Sequence, residues 1–112
     1  MNFDETYEFS KDLKRLSKKY KSLADDLLEF KKVISKFPLG VSKHFVALMA
    51  KETVKIIKGR LFCRYLKGSS LRIIYAYCEG KHRVEFIQLY FKGDKENEDY
   101  NRIKDYLRNF KL

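Results

Sequence analysis

Long apolar runs are what this sequence most plainly lacks. The best of them, HFVALMA at 44–50, meets Lys51 and falls far short of the roughly 18–20 residues a membrane-spanning helix needs. The N-terminal stretch MNFDETYEF is acidic and has no apolar core of the signal-peptide kind. A cytoplasmic protein with no membrane partner is therefore expected. Cysteine is scarce too. Cys63 and Cys78 form no CxxC and keep no spacing with histidine that would suit zinc. Both are expected to be small buried hydrophobes, and no metal or cofactor is expected. No P-loop, GxGxxG or HExxH occurs, which excludes nucleotide binding through those motifs and zinc-dependent hydrolysis.

What is present is charge, and most of it is positive. The 112 residues suit one domain, 1–112, with a single modest core. A hydrophobic fraction of 45% argues for a folded globule although 36% of residues are charged. The net charge is +10, and the excess sits on residues 10–70. Such a field attracts polyanions, whether nucleic acid, an acidic protein or an anionic surface. A lysine-rich solvated surface is the alternative.

Residues 3–9, FDETYEF, alternate well enough for a short strand. Ser10 is placed to cap a helix in which Leu13, Leu16 and Tyr20 recur at helical spacing. SLAD at 22–25 reads as a capping box with Ser22 as cap. Leu23, Leu27, Phe30, Ile34 and Phe37 then continue the helical period, and PLG at 38–40 stops it. From residue 53 the texture becomes β-branched and aromatic. Strands are expected at 53–66, 71–78 and 84–91, with turns at KGSS (67–70) and EGK (79–81). Residues 97–110 read as a helix capped by Asn97 or Asp94, with Tyr100, Ile103, Leu107 and Phe110 as its stripe. The expected class is α+β, in the order β-α-α-β-β-β-α: a helical hairpin on a small twisted antiparallel sheet, then a C-terminal helix.

Alternation along the strands suggests a register. Pairing Leu61 with Tyr75, Cys63 with Ile73 and Tyr65 with Leu71 gathers the apolar members on one face. That register sets Arg64 opposite Arg72 on the other face. Like charges opposed across strands repel, so an anion between them is one reading, and two side chains splaying into water is the other. The same register separates Cys63 from Cys78 by roughly 16 Å, too far for a disulfide. If EGK is a three-residue loop, Cys78 faces His82 and Gln88 falls beside Arg72. Tyr90 and Lys92 then follow on the arginine face, with Lys67, Asp94 and Lys95 in adjoining loops, whereas a two-residue loop would flip that strand's residues inward. His82 lies at the far end of the sheet and His44 in the linker, and both are expected to be solvated.

The strand RIIY (72–75) and the strand end LYFKGDKEN (89–97), following a lysine-rich helical hairpin, resemble the RelE/ParE superfamily of type II toxins, and most closely its RelE- and HigB-like members. The likeness spans nearly the whole chain in element order. It implies a RelE-like fold and a toxin that cleaves messenger RNA, in the ribosomal A site, without a metal. It also implies a cognate acidic antitoxin, with mRNA and the ribosome as partners. By matching position, Arg72 corresponds to the family's phosphate-binding arginine, and Arg64, with Arg60 and Lys67, to its basic residues on the preceding strand. Lys92 and Asp94 occupy the strand-end motif, and Lys95 adjoins them. Tyr90 or Tyr100 would stack a base or assist proton transfer. Lys11, Lys14, Lys18 and Lys19 would add non-specific RNA contacts. Gly93 departs from the pattern, standing where some RelE members carry another arginine. The general base is open between Asp94 and a lysine. A ParE-like gyrase poison and a non-catalytic RNA- or ribosome-binding module are the alternatives.

Overall fold

The first strand is shorter than its alternation suggests. In the computed structural model, which describes residues 1–67 and 70–110, β1 covers Asn2–Glu5 and the first helix, α1, already begins at Tyr7 and runs to Lys19. Thr6 is its cap: the Thr6 hydroxyl accepts the Phe9 amide at 3.1 Å. Ser10, expected in that role, lies inside the first turn and donates to the Glu5 carboxylate. The second helix, α2, spans Leu23–Lys36. Ser22 stands before it with an αR backbone and makes no side-chain bond to the helix backbone, so the expected capping box does not form. The Ser22 hydroxyl donates instead to Asp26 Oδ2 at 2.6 Å and accepts the Tyr65 amide at 3.0 Å.

The strands are β2 (Phe45–Lys51), β3 (Val54–Phe62), β4 (Ser70–Cys78) and β5 (Arg83–Phe91), followed by the helix α3 (Tyr100–Arg108). They form a five-stranded sheet in the order β1-β5-β4-β3-β2. β1 lies parallel to β5 and the other pairs are antiparallel, so the expected α+β class holds with a mixed sheet. β2 has no counterpart in the expected order. Its exposure does not alternate, and it turns into β3 through Glu52, whose φ of 56° is the left-handed conformation usually given to glycine or asparagine.

The helical hairpin covers one face of the sheet. Phe9, Leu16, Leu23, Leu27, Phe30 and Ile34 meet Ile57, Leu61, Ile73, Tyr75, Phe86 and Leu89 there. Each such side chain contributes about 1.5–3 kcal/mol on burial. Gly59 makes that packing possible, because a Cβ there would approach the Phe45 ring at 3.1 Å and Phe30 at 3.3 Å. The opposite face holds a smaller core in which Ile103 of α3 meets Ile56, Ile74, Ala76, Ile87 and Tyr90. Asp99 caps α3, accepting the Arg102 amide at 3.1 Å, where Asn97 or Asp94 was expected. Cys63 and Cys78 are both buried and free, on opposite faces.

Candidate functional site

Opposed arginines do occur, and Arg72 is one of them. Its partner is Arg60, not Arg64, because β3 ends at Phe62 and pairs with Arg60 opposite Arg72 and Leu61 opposite Leu71. The expected register was offset by four residues. Side-chain alternation fixes which residues share a face but cannot see an even-numbered slide. Arg64 lies in the connection beyond β3. Its Nε meets Asp26 Oδ1 at 3.1 Å, its Nη2 lies 3.6 Å from Asp25, and its amide donates to Asp26 at 3.2 Å. It ties that loop to α2. The middle of the KGSS turn, residues 68 and 69, lies outside the described residues.

Tyr90 completes the rung on the other side of Arg72. The β4–β5 connection is not a three-residue loop: Cys78 pairs with Arg83, and His82 closes the turn with φ 50°. That extra residue alone would send Tyr90 to the hairpin face. A bulge between Ile74 and Tyr75 leaves Ile87 unpaired and restores the parity. On β3's outer side, the Arg60 amide donates to the His44 carbonyl at 3.1 Å. His44, Arg60, Arg72 and Tyr90 thus occupy successive positions across four chain segments. His44 was expected to be a solvated linker residue, and the missed strand β2 is what brings it here.

The rung opens into a cleft of about 190 Å3 lined by Lys43, His44, Lys58, Arg60, Arg72 and Lys92. No carboxylate is among its lining residues. Arg72 Nη1 donates to the Ser70 hydroxyl at 2.8 Å, which aims the guanidinium. Burial, and then the charge of Arg60, lower its affinity for the proton relative to an ordinary arginine. Lys58 Nζ pairs with Glu98 at 2.9 Å. Burial pushes the Lys58 ammonium down, but the bond to Glu98 outweighs it and the net shift is upward. Lys58 is held as a cation. Glu98, pushed up by burial and pulled down by Lys58, titrates below the ordinary carboxylate range.

The remaining expected residues divide by position. Tyr90 is buried, its hydroxyl finds no hydrogen-bond partner of ordinary geometry among the described residues, and burial pushes its phenol up. A buried ring cannot stack on a base. Tyr100 is exposed at the start of α3, with Lys104 Nζ 4.9 Å from its ring centre. Lys67 lines a neighbouring hollow with Arg60 and Arg64. Asp94 and Lys95 sit in the turn after β5, both amides donating to the Phe91 carbonyl. A Cβ on Gly93 would run into the Phe91 ring, so no larger side chain fits there unless that ring moves. Lys11, Lys14, Lys18 and Lys19 are exposed on α1, whose packed side meets the sheet face away from the cleft.

No protein-family model matches the sequence, and no curated protein does. A solved structure does match by shape. A chain of the archaeal RelE–RelB complex from Pyrococcus horikoshii OT3 superposes with a TM-score of 0.62 at 19% identity, over 82% of this chain and 94% of that one. The fold is RelE-like. In this RelE-like chain the cationic cleft lies on the sheet face opposite the helical hairpin, and no helix among the described residues is long and apolar enough to cross a membrane.

Proposed function

We propose that the chain is the toxin of a type II toxin–antitoxin system and acts as a metal-independent endoribonuclease on messenger RNA in the ribosomal A site. The observation that carries this reading is the carboxylate-free cleft in which Arg60, Arg72, Lys58, Lys92 and Lys43 converge on a RelE-like sheet. In the proposed reaction the ribose 2′-oxygen bonds to the adjacent phosphorus and the bond to the 5′-oxygen breaks. The 2′-hydroxyl gives up a proton, and the leaving 5′-oxygen takes one. Negative charge builds on the non-bridging oxygens, where fixed guanidinium and ammonium donors stabilise it most. Arg72 and Arg60 supply forks for that phosphate, while Lys58 and Lys92 supply point charges. Glu98, which is not among the residues lining the cleft, pairs with Lys58 at 2.9 Å and holds it as a cation.

The partner follows from the same charge. A small acidic antitoxin would neutralise a +10 surface, and the similar solved chain was crystallised in a complex with RelB. The test is induction of the chain alone, followed by primer extension on cellular messages. Growth arrest with new 5′ ends, reversed by an acidic antitoxin, is the expected outcome. Unimpeded growth at verified soluble expression overturns the toxin reading. Arrest through gyrase with intact messages identifies the ParE-like alternative.

A further inference from the structure

His44 is fixed in the cleft from both sides. Its amide donates to the Ser42 hydroxyl at 3.2 Å and its carbonyl accepts from Arg60 at 3.1 Å. Its imidazole stands edge-on to the Phe62 ring, with centres 5.4 Å apart and planes at 90°. Nδ1 is buried and has no hydrogen-bond partner among the described residues. Buried N–H groups without an acceptor are rarer in folded proteins than buried acceptors without a donor. On that ground the hydrogen of an uncharged His44 ring is assigned to Nε2. His44 lines the same cleft as five cations, two of them the opposed arginines.

We propose that His44 contacts the scissile phosphate, donating from Nε2–H to a non-bridging oxygen alongside Arg60 and Arg72. The inference rests on the ribonuclease reading and adds a phosphate contact to it. The proposed role is that of a hydrogen-bond donor rather than of a base, because in the Nε2–H tautomer that nitrogen already holds the hydrogen. The Phe62 edge limits rotation of the imidazole on one side.

Two amides separate this role from a merely structural one. A glutamine amide nitrogen reaches about as far as Nε2, whereas an asparagine reaches only to the Nδ1 position. Single-turnover cleavage of a ribosome-bound message should fall about tenfold or more in His44→Ala and His44→Asn, with partial recovery in His44→Gln. Thermal melts of all three accompany the rates, and a two-bond 1H–15N spectrum of the neutral imidazole should show the Nε2–H tautomer. Wild-type rates in a folded His44→Ala overturn the role of His44 and leave the ribonuclease reading standing. Recovery by asparagine rather than glutamine, or an Nδ1–H tautomer, overturns it as well. A wild-type protein that cleaves no message removes the ribonuclease reading, and this contact with it.

Discussion

Arg72 leaves the sheet between Arg60 and Tyr90, anchored by the Ser70 hydroxyl at 2.8 Å. In the free protein the opposed guanidiniums repel, so the pair costs stability until an anion lies between them. Arg72→Ala should therefore cut single-turnover cleavage by about 10²-fold or more, the scale of losing one preorganised oxyanion donor. Its melting temperature should stay level or rise slightly. Arg72→Lys should recover part of the rate, because a point charge replaces the fork. A folded Arg72→Ala with full activity would move the active site elsewhere. Acid sensitivity is also settled residue by residue. Burial raises Asp26, but the bonds from Ser22, Cys63 and Arg64 pull it down further, and Glu98 is likewise depressed by Lys58. A carboxyl depressed on folding stabilises the fold fully above its ordinary value, here 3.8 for Asp26 and 4.5 for Glu98. That contribution fades as pH falls through the lowered native value. Melts taken from pH 7 down to 3 should drop in that window, and less steeply in Asp26→Asn and Glu98→Gln. Parallel curves for wild type and variants would refute the linkage.

At the level of elements, each hairpin helix buries a carboxylate in its apolar stripe, and each carboxylate holds a neighbouring segment. Asp12 of α1 accepts the Leu89 amide at 3.1 Å and Arg102 Nη1 at 2.7 Å, and Arg102 also donates to the Ile87 carbonyl at 2.9 Å. This clasp covers the part of β5 that β1 leaves unpaired and joins α1 to α3. Asp12→Ala orphans a strand amide and a mostly buried guanidinium, and should cost about 2–4 kcal/mol in denaturant unfolding, with faster exchange at Leu89. A loss below about 0.5 kcal/mol would mean that water replaces the clasp. Asp12 and Asp26 fall at helical spacing within the apolar stripes, a signal for such clasps that the reading of the sequence did not use. The helices, β4, β5 and the face that Arg72 occupies were legible, since period and parity are written in single residues. β2 was not, because FVALMAK exposes and buries without alternation and Glu52 stands where a glycine or asparagine would have announced a turn. The offset of β3 was hidden because a slide of four preserves every face. Arg60 and His44 were therefore misplaced, while Arg72 and Tyr90 were put on the right face, Tyr90 only because the bulge cancels the extra loop residue.

On the scale of the whole molecule, cationic side chains gather on two separate surfaces, to which the proposed function gives different work. The cleft gathers cations at one end of the sheet, on the face shared with α3. The exposed lysines of α1 lie on the far side of the hairpin, where they cannot touch a phosphate bound between Arg60 and Arg72. Their contribution to RNA or ribosome binding should be one of counterion release, sequence-independent and steeply dependent on salt. Replacing Lys11, Lys14, Lys18 and Lys19 together with alanine should weaken binding at low salt. It should also flatten the slope of log K against log salt by up to about 3, at roughly 0.7 per phosphate contact on single strands. Helix stability should hardly suffer, since alanine is the best helix former and no acidic residue is paired with these four among the described residues. Single-turnover cleavage at saturating protein should be unchanged, because the groups around the proposed scissile phosphate are intact. Titration of a fluorescent oligonucleotide at several salt concentrations, beside the cleavage assay, reads both halves of the division. A variant that binds with the wild-type slope yet loses cleavage would place α1 next to the chemistry, and would require the RNA to wrap around the sheet edge to reach both faces at once.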